Sequence, residues 1–274
     1  MNLRAVPVSV FFLFFFAACN NNGSTKKEDA AIDTATGSIQ IKELETELSK
    51  EPQADSLREG LVEQLVLTNQ YGKALEQVEV LLKKNPSSPA YLFMKADALE
   101  KKGDTTGAIS FFEQSITAAG IFTEAQLRLA SLYAETGNKN ALTICEVMLK
   151  DPTAVKLRSD ILFVKAVYYN KVKDTKNALR IYDQIIKEDY TYLEAYIEKG
   201  LVYYDMGNFA EAHKQFERST SISNKFADGY FWMAKAEEKL NKTQEAIDNY
   251  KRSLALDQNI TEARDALKRL GAVK

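Results

Sequence analysis

His213 is the only histidine in the 274-residue chain, and so the one side chain suited by its ordinary pKa to acid or base catalysis near neutrality. A metal site would need a cysteine or second histidine at helical spacing, and neither occurs near it. His213 therefore reads as a solvated surface histidine. Of the two thiols, Cys145 takes an apolar position in a helical pattern and reads as buried and unreactive. Acidic pairs such as Glu237-Glu238 are adjacent on a helix, are expected to point apart, and read as solvated surface. No glycine loop could cradle a phosphate, and neither a nucleophile elbow nor a zinc-protease helix occurs. The chain reads as a non-enzyme that needs no cofactor and no metal.

Composition narrows the remaining classes. Lys and Arg number 36 against 38 Asp and Glu, a formal net charge of -2, and the basic residues are interspersed with acidic ones. No field of one sign draws the chain to nucleic acid. A hydrophobic fraction of 45% supplies a core, and two cysteines are too few for a disulfide framework.

The amino terminus reads as an address. Arg4 precedes an apolar run from Ala5 to Ala18 that would reach only about 21 Å as a helix, short of a bilayer core. The run ends in Phe16-Ala17-Ala18-Cys19, which resembles the bacterial lipobox, although Phe16 departs from its usual aliphatic residue. That resemblance implies lipidation of Cys19 after removal of residues 1–18. Asn20 in place of aspartate implies the outer membrane, facing the periplasm. Residues 19–38 are small, polar and charged and read as a flexible tether.

Beyond the tether the chain repeats. Segments starting at Asp55, Pro89, Thr123, Ser159, Leu193 and Ala227 align with a period of about 34 residues, one deletion near Lys139 and a short insertion before Ser159. Counting from each start, position 20 is alanine six times: Ala74, Ala108, Ala141, Ala178, Ala212 and Ala246. Position 8 is Val62, Ala96, Ala130, Ala166, Gly200 and Ala234, small enough for two helices of a hairpin to approach. Position 24 holds Val78, Phe112, Cys145, Tyr182, Phe216 and Tyr250, which fill the space beside them. Turn residues such as Gly103-Asp104 and Asn241-Lys242 separate the halves.

The joint pattern is similar to the tetratricopeptide repeat (TPR) family over residues 55–260, with Glu237 and Gln258 departing from the family's tyrosine and proline. The resemblance implies an all-α, right-handed superhelix of six helix-turn-helix repeats: 55–88, 89–122, 123–158, 159–192, 193–226 and 227–260. Residues 39–54, with Ile41, Leu44 and Leu48 on one stripe, read as an amino-terminal cap. Residues 261–274 read as a capping helix through Ala263, Ala266, Leu267 and Leu270.

In this family the first helix of each hairpin lines the concave face through roughly positions 2, 5, 9 and 12. Position 5 offers Phe93, Leu127, Phe163, Ile197 and Phe231, with Glu59 in the first repeat. Asp97, Val167, Leu201, Tyr204 and Lys235 join them at positions 9 and 12. These ten residues form the expected binding face, while burial of position 5 against the neighbouring helix is the alternative. No repeat carries the lysine and asparagine of the carboxylate-clamp type. The resulting expectation is a lipid-anchored adaptor or assembly scaffold for other envelope proteins or their peptide segments. A structural homo-oligomer, or a bridge from membrane to cell wall, is the alternative.

Overall fold

The computed structural model describes residues 34–120 and 122–272; Cys19, the apolar run and most of the tether segment lie outside them. Fourteen α-helices occupy the described residues, and no strand occurs among them. They are α1 (Thr34–Lys50), α2 (Asp55–Leu67), α3 (Tyr71–Lys84), α4 (Pro89–Lys102), α5 (Thr105–Ala119), α6 (Thr123–Glu135), α7 (Asn140–Lys150), α8 (Arg158–Lys171), α9 (Thr175–Glu188), α10 (Leu193–Asp205), α11 (Phe209–Ile222), α12 (Ala227–Lys239), α13 (Thr243–Leu256) and α14 (Thr261–Arg269). Each even-numbered helix from α2 to α12 pairs with the next as a hairpin, and α1 and α14 pack on the two ends. One boundary differs from expectation: α1 begins at Thr34, so residues 34–38 are helical instead of tether. The insertion before Ser159 forms a short 3-10 helix, Pro152–Leu157, opened by the Asp151 side chain accepting from the Thr153 N–H at 2.8 Å.

The same local device closes every hairpin. A residue in the left-handed region ends the first helix: Asn69, Gly103, Gly137, Lys173, Gly207 and Asn241, with φ between 59° and 90°. The next N–H then donates back to the carbonyl at position 11, as from Asp104 to Leu99 (2.9 Å), Asp174 to Tyr169 (2.8 Å) and Lys242 to Glu237 (2.9 Å). These bonds satisfy carbonyls that a helix end would leave open, and they reverse the chain in two residues. Side-chain caps then start the second helix at Asp104, Asp174 and Asn208.

Packing follows the aligned columns. All six position-20 alanines are fully buried, and the position-24 side chains from Val78 to Tyr250 sit beside them at no more than 1% exposure. Cys145 belongs to this column, and burial pushes its thiol up to about 12, so it stays protonated and unreactive at neutral pH. The lysines at position 7 lie along apolar surface: Lys95 sits over the Phe111 ring and pairs with Glu79, and Lys199 pairs with Asp183 at 2.6 Å. First helices of successive hairpins touch one another, α2 with α4, α6 with α8 and α10 with α12, which makes them the inner wall of the stack.

Candidate functional site

The inner wall is the surface on which a partner could be held, and its residues come from the first helix of each hairpin. Position 5 corrects the expectation. Leu127 and Phe163 are 1% exposed, Ile197 7% and Phe231 8%, and Phe93 is half-buried. These side chains are core, because position 5 points at the aromatic of its own hairpin and at the residue that enters the next one. Phe163 packs on Tyr182 (6.0 Å between ring centroids) and Tyr192 (5.5 Å), and Phe93 packs on Phe112 (5.5 Å) and Phe122 (5.0 Å). Asp97, Val167, Leu201, Tyr204 and Lys235 remain half-buried on the wall.

Position 6, not expected to contribute, supplies Arg128, Glu198 and Trp232. In the amino-terminal half, Arg128 is tied down. Its Nη2 donates to Asp97 (2.9 Å) and Glu100 (2.6 Å), and its Nε donates to Glu100 at 3.0 Å. Burial raises the Glu100 carboxyl above the ordinary range and the Arg128 guanidinium pulls it back, so this half carries its own counter-charge.

The carboxyl-terminal half has an aromatic floor. Tyr204 meets Phe209 edge-on (5.0 Å) and Trp232 (6.4 Å), and Lys235 places its amine 4.5 Å from the Trp232 ring. Burial lowers the Lys235 pKa, opposed by Glu262 and Glu238. Glu238 itself accepts from the Tyr250 hydroxyl (2.6 Å) and from Arg269 (2.8 Å). Around this floor stand Asp160, Glu194, Glu198 and Asp228, all held above the ordinary carboxylate range first by burial and then by one another or by nearby Asp189, Asp205 and Asp257. Glu194 and Asp228 are exposed at the surface. A concave wall crowds a carboxyl with protein on either side without closing it off from water.

Burial and Asp205 push the Glu198 carboxyl up to about 7. A carboxyl raised on folding costs stability once pH exceeds its unfolded value, and the cost fades as pH falls from about 7 towards 4.5. Glu198→Gln is therefore expected to stabilise the protein by about 1 to 2 kcal/mol near pH 8, allowing for screening at this half-buried site, and to change little near pH 4. Melting midpoints at the two pH values check this; equal midpoints at pH 8 would contradict it.

His213 also departs from expectation. Its Nε2 lies 3.0 Å from the Glu237 carboxyl, which is 4% exposed and accepts two bonds from the Asn249 amide at 2.8 and 3.0 Å. This is a buried polar bridge from α11 to α12 and α13. The two sequence departures, a lone histidine and a glutamate where the family places tyrosine, mark its members, but 24 residues separate them. Among the described residues, no group of three His, Cys, Asp or Glu side chains could hold a metal ion, and no helix is long and apolar enough to cross a membrane.

The tetratricopeptide repeat family model matches residues 65–120 and 197–259, at hairpins whose small columns and turns have just been described. The chain is a tetratricopeptide repeat protein. A TPR repeat-containing protein of Methanocaldococcus jannaschii is 27% identical over 197 residues, covering 68% of this chain and 34% of the relative, so the chain spans about a third of that relative's length. Among solved structures, a tetratricopeptide repeat protein from Parabacteroides merdae superposes with a TM-score of 0.71 at 17% identity, covering 88% of this chain and 94% of that one. PilW, a widely conserved type IV pilus biogenesis factor, gives 0.63 at 16% identity, covering 78% and 99%. Yeast Tom70 gives 0.57 at 14% identity, covering 87% and 59%. At these identities the likeness speaks to the fold.

Proposed function

We propose that this TPR protein is a lipid-anchored adaptor of the bacterial envelope that holds a segment of a partner protein against its inner wall. The observation that carries the binding part is the floor of Tyr204, Trp232 and Leu201, half-buried apolar surface on the inner wall that the other described residues leave partly uncovered. Support for the anchor comes from Cys19 at the end of an apolar run too short to span a bilayer. Several acyl chains on one cysteine would hold the chain at the membrane, with an outer-membrane, periplasm-facing position implied by Asn20.

Two measurements separate the parts. Cys19→Ala is expected to abolish fatty-acid labelling and release the protein from the membrane fraction; equal labelling would refute the anchor. A photo-crosslinking residue at Leu201 is expected to join a partner, while one at the exposed Lys176 on α9 should not. Equal yields at the two positions would refute binding on the inner wall.

A further inference from the structure

The charge on the inner wall is uneven in a way that specifies the ligand. Position 6 of the third repeat is Arg128, which neutralises Asp97 and Glu100 from inside the protein. The equivalent position of the fifth repeat is Glu198, so the carboxyl-terminal half has a carboxyl where the other half has a guanidinium. Glu194, Glu198 and Asp228 have no cationic partner among the described residues; the charged side chains acting on them are other carboxylates. Lys235, on the same wall, is engaged over Trp232 and drawn towards Glu262 and Glu238.

A second observation comes from beneath. The Tyr182 hydroxyl is fully buried, has no hydrogen-bond partner, and feels the charge of Glu198 on the adjoining helix. An unpaired buried hydroxyl is costly. Within range of the Glu198 charge, it is a buried donor left without an acceptor beneath this wall.

Resting on the inner-wall reading above, we propose that the bound segment is basic and extended, with lysine or arginine at every third residue opposite Asp160, Glu194 and Asp228, and apolar side chains on Tyr204, Trp232 and Leu201. The register follows from two spacings. α10 touches α12, helices packed on one another lie about 8 to 10 Å apart, Glu194 lies within charge range of both Asp160 and Asp228, and three residues of extended chain cover about 10 Å. One basic residue thus meets each successive helix, α8, α10 and α12, and the cation replaces the like-charge neighbours each carboxyl now has. Asp160 already accepts from the Tyr192 hydroxyl at 2.9 Å, which leaves its second oxygen for the ligand.

The test uses three fluorescent, photoactivatable peptides of about twelve residues with the same leucine and serine framework, carrying lysine, glutamate or serine at every third position. The lysine probe is expected to bind at least roughly tenfold more tightly than the serine probe, to weaken with added salt, and to crosslink to α10 and α12. The glutamate probe should not bind. Glu194→Lys with Asp228→Lys, both at exposed positions, is expected to remove the lysine preference while leaving the melting midpoint of the protein in place. If the lysine and serine probes bind alike and both crosslink to α10 and α12, the basic ligand is wrong and the inner-wall reading stands. Crosslinks confined to the outer helices, or no lysine-probe binding at about millimolar concentration, would overturn both.

Discussion

Gly200→Ala is expected to destabilise the protein by about 1 to 3 kcal/mol, the reverse of what the same change does in an ordinary helix interior. Alanine normally gains about 0.5 to 1 kcal/mol over glycine there, because glycine loses more backbone freedom on folding. At this position a Cβ would run into the ring of Phe216, with Cδ1 at 2.8 Å, and that ring is fully buried. The collision is with the edge of a rigid ring packed on all sides, which has no flexible end that could swing away. Phe216→Ala should cost more, about 3 to 5 kcal/mol, since it leaves a cavity between α10, α11 and α12. The double variant Gly200→Ala with Phe216→Leu should lose less than the sum of its single changes, because the shorter side chain admits the new methyl. Trp232, the only tryptophan, stacks 6.3 Å from Phe216 and reports unfolding of this region directly. A local probe matters in a repeat stack, where the ends need not unfold together. A neutral or stabilising Gly200→Ala would mean that the two helices are not this close.

The second large effect is expected at Asn249. Its amide donates both bonds by which α13 satisfies the Glu237 carboxyl, in a place with almost no access to water. Asn249→Leu removes them and leaves a buried acidic group with His213 alone, at a cost of about 3 kcal/mol. Glu237→Gln keeps an acceptor for Asn249 and a group for His213, so it should cost less than about 1.5 kcal/mol. Replacing His213, Glu237 and Asn249 together by leucine, methionine and leucine is expected to fall near the wild type, as buried polar bridges often do when the whole set is exchanged for apolar side chains. Urea midpoints of the four proteins decide this. If Asn249→Leu unfolds with the wild type, the bridge contributes nothing.

Neither bridge nor groove charge could be assembled from spacing alone, whereas the hairpins could. Six alanines at position 20 and six small residues at position 8 permit one close helix pair each, and a residue with positive φ after each first helix fixes where the chain turns. Those constraints act within a hairpin, between residues a dozen or so apart, and a repeated pattern states each of them six times. His213 and Glu237 carry no such repetition. Each departs once from its column, and their meeting depends on how α11 packs on α12.

The sequence by itself determined the all-helical repeat, the hairpin register and the buried thiol at Cys145, because each follows from local periodicity. Tertiary structure alone decided which stripe of the first helices is wall and which is core. A helix face at 3.6 residues per turn does not distinguish a side chain that looks into a groove from one tilted under the next hairpin. Position 5 is closed by Phe122 and Tyr192, which belong to the entry of the following repeat, so its burial is a property of stacking. The state of the carboxyls was decided in the same way. Glu194 answers to Asp160 and Asp228 on the helices before and after it, about 34 residues away in either direction, and only the curvature of the stack brings those charges within range of one another while Arg128 stays out of reach.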